Sequence, residues 1–279
     1  MKTLNKICFA CALLLIPVMS LPAQTDSTTD RVVVKLSDPG KPAYVECSLV
    51  NGGITVTGYE GQEVIVEAIT QTKKITEESK SDKSKGMFQI PVHSSSLTVE
   101  EDDNNITIKT DSWARTIDVH LRVPTHTSLQ LKCVNSGDIK VENVSGDLDI
   151  NNVNGAITAT NISGSVIAHA LNDDMKIILN TVTADKPMAF SNLNGDMDIT
   201  FPSTLKATVK IKNNQGDVFS DFEIQKLSKP RQIIEENKKD KEGTYRVRIE
   251  EAFYGNINGG GPEYQFSNFN GDIYIRKGK

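Results

Sequence analysis

The most restrictive feature of the sequence is a nine-residue step. Gly137, Gly146, Gly155 and Gly164 are evenly spaced, and Asp173 stands in the same register. The units read SGDIKVENV, SGDLDINNV, NGAITATNI and SGSVIAHAL. Two places after each glycine stand Ile139, Leu148, Ile157 and Val166, followed by Met175. Four places after stand Val141, Ile150, Ala159, Ala168 and Ile177. Apolar residues two apart share one face of a strand, so each unit reads as a short strand, a corner that glycine can turn, and one more inward residue: Val144, Val153, Ile162 or Leu171. No nine-residue unit can bury its own apolar face, so the units must stack. Asn143, Asn152 and Asn161 fall in one column of the alignment, which predicts a ladder of side-chain amides at a corner.

The same grammar returns far along the chain. FSNLNGDMDI from Phe190 and FSNFNGDIYI from Phe266 agree at seven of ten positions across 76 residues. Looser echoes occur at Gly52-Gly53-Ile54 and Gly216-Asp217-Val218. Alternating stretches such as Val32–Leu36, Val64–Ala68, Ile117–Val123 and Tyr245–Ile249 read as half-buried strands. The fold class is therefore all-β: a β-solenoid or β-helix-like stack over residues 31–279, most regular at 134–200, with less regular parts at both ends. Charged stretches at 71–88 and 226–243 read as solvated loops, the second with room for a short helix.

The first residues predict export. Lys2 and Lys6 precede the apolar run Ile7–Leu15, Pro17 breaks it, and Leu21-Pro22-Ala23 leads into polar sequence, the pattern of a signal peptide cut after Ala23. Residues 24–30 then read as a disordered leader. The run is short for a membrane span of about 20 residues and no second one follows, so no transmembrane segment is expected after cleavage. Cleavage removes two lysines and no acids and shifts the formal charge from −5 to −7. That acidity disfavours a nucleic-acid partner, which needs a basic stripe. Of four cysteines, Cys47 and Cys133 remain. Export permits a disulfide between them; the other reading is two buried small hydrophobes in separate strands.

Reactive constellations are hard to find. His93, His120, His126 and His169 lack metal-ligand spacing, no nucleophile elbow occurs, and no CxxC appears. A calcium-dependent acidic-polysaccharide lyase would need a basic proton abstractor. No arginine lies between Arg122 and Arg231, and within the regular stack Lys140 and Lys176 occupy outward positions that solvated lysines fill anyway. Calcium-binding β-rolls carry several glycines per nine-residue unit, whereas here one glycine is followed by Asp138, Asp147, Asp196, Asp217 or Asp272, which suits a corner carboxylate accepting backbone N–H groups. The acids from Glu100 to Asp103 before Asn104-Asn105 read as a hairpin turn. Phe253, Tyr254, Tyr264, Phe266 and Phe269, around Gly259-Gly260-Gly261-Pro262, suit either a glycan-stacking patch or a plug for the open end of the stack. Trp113 beside Arg115 supports no site by itself.

The stretch IDVHLRVPTHTSLQLKCVNSGDIKVENVSGDLD, from Ile117 to Asp149, resembles the bacterial putative adhesin family of exported β-strand-repeat domains of unknown function. The likeness lies in a strand ending in Val-Pro, a polar turn, an alternating strand and repeated Gly-Asp-apolar units. It implies a solenoid-like fold and an exported, non-catalytic cell-envelope or surface interaction protein. Its partner would be an envelope protein, a glycan or a host surface, and it would be periplasmic, at the outer surface or secreted. A structural envelope scaffold is the alternative role. No catalytic, metal-binding or cofactor-binding residue is expected, nor any cofactor.

Overall fold

The computed structural model describes residues 27–71, 97–110, 114–228, 232–237, 245–250 and 252–279. The segment read as a signal peptide, His93, Trp113 and most of the charged stretch at 71–88 lie outside them. The described elements are all β. Twenty strands are hydrogen-bonded into one mixed sheet that wraps into two faces across a shared apolar interior.

Along the first face the spatial order is β5 (Leu97–Asp102), β6 (Asn105–Thr110), β2 (Ala43–Asn51), β8 (Thr127–Asn135), β10 (Ser145–Asn152), the second half of β11 (Ile157–Ala170), β13 (Met188–Asn194), β21 (Glu263–Asn270), β15 (Ala207–Gln215), β20 (Phe253–Ile257) and β17 (Ile224–Lys226). Along the second face it is β1 (Ser27–Lys35), β4 (Glu63–Gln71), β7 (Ile117–Pro124), β3 (Ile54–Tyr59), β9 (Ile139–Glu142), the first half of β11, β12 (Met175–Val182), β14 (Met197–Phe201), β22 (Ile273–Lys277) and β16 (Val218–Ser220). Most interior pairings are parallel and in register, as in a solenoid. Near the ends the pairing reverses: β5, β4 and β1 at one end, and β20 and β17 at the other, run antiparallel to their neighbours.

The true repeat is eighteen residues. Leu148 lies beside Val166, and Ile139 beside Ile157; successive nine-residue units therefore face each other across the core instead of stacking. This corrects two expectations. Asn143 and Asn161 share one corner, both at positive φ, with the Asn161 amide donating to Asn143 Oδ1 at 3.1 Å. Asn152 sits at the opposite corner and turns inward. Likewise Val144 and Ile162 are buried, whereas Leu171 is exposed and Val153 only half-buried, because a residue seven places after the glycine meets a different corner in alternate units.

Chain order and spatial order part company at both ends. The β2–β3 coil is inserted between β6–β7 and β8–β9. The C-terminal coil β21–β22 is inserted between β13–β14 and β15–β16. The two near-identical decapeptides are thus spatial neighbours, with Phe190 beside Phe266 and Met197 beside Ile273. The 21-residue step from Gly195 to Gly216 exists because Gly271 fills the rung between them.

Other expectations change as well. β1 begins at Ser27, inside the stretch read as a disordered leader, since Ser27–Lys35 pairs along the whole of β4. Within 226–243, Gln232–Asn237 forms β18, which pairs with β19 (Tyr245–Glu250) as an antiparallel hairpin instead of a loop or helix. Tyr264 and Phe266 do not plug an open end; β21 lies between β13 and β15, and both residues are buried in an aromatic cluster with Phe190 and Phe201. Phe253 and Phe269 are exposed.

Cys47 and Cys133 are free and buried, so the disulfide is not formed in this structure. Register sets Cys47 opposite Leu131 and Cys133 opposite Leu49. Burial holds both thiols well above the usual range, Cys133 at about 11. In a chain beginning at Gln24, a thiol reagent such as Ellman's should label neither cysteine in the native state and both after denaturation; labelling of native protein would contradict the packing.

Candidate interaction surface

Six coils turn from the first face to the second through variants of one pattern: a buried residue, an outward apolar residue, an asparagine, a glycine and an aspartate. The β15–β16 corner, Asn213-Asn214-Gln215-Gly216-Asp217, keeps the frame without the apolar residue. The pattern is complete in Asn192-Leu193-Asn194-Gly195-Asp196 and Asn268-Phe269-Asn270-Gly271-Asp272. Variants are Asn152-Val153-Asn154-Gly155-Ala156, Ala170-Leu171-Asn172-Asp173-Asp174 and Leu49-Val50-Asn51-Gly52-Gly53. In Cys133-Val134-Asn135-Ser136-Gly137-Asp138 one extra residue enters, with Ser136 at φ 56. Stacking converts each position of the pattern into a straight column.

The innermost column staples adjacent coils. The amides of Asn152, Asn192, Asn213 and Asn268 donate to the carbonyl oxygens of Gly137, Asp173, Gly271 and Gly195 at 2.9–3.2 Å. The Cys133 thiol reaches the Gly52 carbonyl in the same way, so cysteine here fills an asparagine slot. The aspartate column is structural too. Carboxylates of Asp138, Asp174, Asp196 and Asp272 accept the backbone N–H of the residue one rung along, at 2.8–3.2 Å. Asp138, Asp196 and Asp272 thus make the corner bonds expected of Gly-Asp units, whereas Asp147 accepts from Ser165 Oγ and Lys186 Nζ at 2.6 Å. These bonds occupy oxygens that a calcium ion would need, and among the described residues no group of three His, Cys, Asp or Glu side chains is placed to hold a metal.

Between these columns lies the surface. Asn154, Asn172 and Asn194 form an outward amide ladder, each donating to the asparagine one rung before it; the Asn172–Asn154 and Asn194–Asn172 bonds are 3.0 Å. Asn51 and Asn270 extend the same row. Beside it runs an apolar ridge: Val50, Val134, Val153, Leu171, Leu193 and Phe269, on six consecutive coils. Five of these side chains are 39–46% exposed. With rungs about 4.8 Å apart, the ridge is roughly 24 Å long. Single exposed hydrophobes are ordinary, but a contiguous line of them on a rigid edge marks a contact surface. The Phe269 rung exists only because the C-terminal coil is inserted. The sequence reading placed Val153 and Leu171 inside and so missed the ridge. The repeated four-residue motif asparagine-apolar-asparagine-glycine carried its signal.

Other sequence candidates do not converge. Glu101, from the acid cluster, accepts the N–H of Asn104 and of Ser37, which hold its carboxyl below the usual range; Asp103 and Asn104 turn the β5–β6 hairpin at positive φ. His120 and His126 are exposed, and His169 bonds Ser191 at 2.5 Å on the open sheet. Lys140 pairs with Asp138 at 3.5 Å and Lys176 points to solvent. No helix among the described residues is long and apolar enough to cross a membrane.

Solved structures that the chain resembles include a putative cell adhesion protein from Clostridium sporogenes, 11% identical with a TM-score of 0.45 and covering 90% of this chain and 100% of that one. Another is a putative adhesin from Bacteroides fragilis, 12% identical with a TM-score of 0.41 and covering 91% and 98%. No curated protein matches. The sequence matches the family described as Toastrack DUF4097, a domain of unknown function, over residues 24–258. The chain therefore belongs to the Toastrack family.

Proposed function

We propose that this is an exported, non-catalytic, adhesin-like interaction protein that docks a partner protein at the cell envelope or cell surface along the apolar ridge. The ridge, six consecutive apolar rungs flanked by a hydrogen-bonded amide ladder, carries this reading. Its side chains are fixed by the stack, so binding would order little and most of the buried area would count toward affinity. Aliphatic side chains with a neutral polar rim suit the surface of a protein better than that of a charged polymer. The resemblance to adhesins supports the setting outside the cytoplasm, as does the signal-like start of the chain.

The test is an array of extracellular-matrix and envelope proteins, with glycans on the same slide, probed by the chain from Gln24 in calcium and in chelator. Saturable protein binding that falls at least tenfold in Leu171→Asp/Leu193→Asp, with the unfolding midpoint unchanged, is the expected result. Binding that ignores these charges would refute the ridge. Binding that needs calcium would contradict the structural role of the corner aspartates.

A further inference from the structure

The opposite corner, where the chain passes from the second face back to the first, is tight in the early coils and opens in the later ones. Asn143-Val144 and Asn161-Ile162 turn within a few residues. After β12 the connections lengthen to 183–187, 202–206 and 258–262. The last arrives from β20 at the end of the stack to start the inserted coil. These three loops flare apart around a cleft of about 420 Å³, within the usual range of small-ligand sites, about 300–1,000 Å³.

The cleft is preformed. Asn258 Nδ2 donates to the Leu205 carbonyl at 2.7 Å, and the Leu205 N–H donates to the Pro202 carbonyl at 3.0 Å. A Cβ at Gly261 would lie 2.4 Å from the Lys206 carbonyl, so backbones of two loops touch there. Val182 and Pro262 supply apolar wall. Tyr264 contributes to the lining although its residue is only 1% exposed. No described residue hydrogen-bonds its hydroxyl. Tyr264 Oη is not one of the buried side-chain atoms left without a partner, so the hydroxyl opens onto the cleft and can donate there. Asp185 and Lys206 stand at the rim, and neither is paired with a described residue.

We infer that this cleft binds one residue of a neutral sugar. An unpaired carboxylate accepts from vicinal hydroxyls, an ammonium and a phenol donate to them, and the two opposed charges leave no preference for an ionic ligand. Apolar wall meets the C–H face of the ring. This inference is independent of the ridge, which lies at the other corner.

The experiment is saturation-transfer NMR and titration of the full chain with the methyl glycosides of glucose, galactose, mannose and N-acetylglucosamine. At least one should bind saturably, about fivefold more weakly to Tyr264→Phe and about tenfold more weakly to Asp185→Asn, with unfolding midpoints unchanged. Leu171→Asp/Leu193→Asp should bind the sugar normally, which separates this site from the ridge. Failure of all four probes, or binding indifferent to both cleft variants, would overturn the inference. Tighter binding of a glucuronide than of the glucoside would overturn the neutral class.

Discussion

Gly271→Val is expected to lower stability by about 4 kcal/mol or more, at the extreme of single substitutions. Gly271 has φ 130, and a Cβ there would lie 2.2 Å from the Gly195 carbonyl oxygen and 2.7 Å from its carbon. Both atoms are backbone of the adjacent coil, so relief requires pushing two coils apart. That would also stretch the bonds flanking the corner, from Asp196 to the Asp272 N–H and from Asn268 to the Gly195 carbonyl. Gly259→Ala is the control. Its φ is 91, yet nothing lies within 4 Å of the added Cβ, so only backbone strain of about 1–2 kcal/mol is incurred. Urea unfolding of the two variants separates clash from strain. Equal costs would mean that the corners are not in contact.

Phe266→Ala should cost about 3–5 kcal/mol, although it lies only thirteen residues from Lys279. Its ring stacks on Phe190 at 5.2 Å and 22°, meets Phe201 edge-on at 6.2 Å, and is 1% exposed. Removing it leaves a cavity between β13 and β15 that these neighbours cannot close without breaking register. Phe269→Ala, three residues on, removes a side chain that is 46% exposed and should change stability by no more than about 0.5 kcal/mol while weakening partner binding. Two phenylalanines of one strand thus divide between core and contact surface, and the pair of unfolding curves checks the division. A mild effect of Phe266→Ala would place the C-terminal coil outside the core.

How far the sequence carried these conclusions depended on which physical signal each needed. The strand class was legible because alternation such as Ile139-Lys140-Val141 directly records one buried face. The corner aspartates were legible as backbone acceptors because a carboxylate after a turning glycine faces corner backbone, although the N–H groups they accept belong to the adjacent coil and not to their own turn. The two-faced arrangement was not, because nine-residue units in one register fit either direct stacking or facing strands, and only pairings such as Leu148 with Val166 separate the two. Hence Leu171 looked internal and is exposed. The likeness of the segments from Phe190 and Phe266 was plain, but not that they are neighbours. Adjacency arises because Gly271 fits between Gly195 and Gly216, a property of three-dimensional packing. The cleft was invisible, being made by loops from three coils around the side chain of Tyr264.

Both proposed sites depend on the inserted C-terminal coil, which supplies Phe269 to the ridge and Tyr264 to the cleft. The most direct measurement is therefore a pair of engineered cysteine cross-links on the open sheet. Ser191 lies beside Ser267, and Ser267 beside Lys212. Ser191 and Lys212 are two rungs apart, about 9.6 Å, beyond disulfide reach. Mild oxidation of Ser191→Cys/Ser267→Cys should give a bridged peptide pair by mass spectrometry, and Ser191→Cys/Lys212→Cys should give none. Coils stacked in chain order would reverse the result, bridging positions 191 and 212 and leaving 267 free, and would contradict the account.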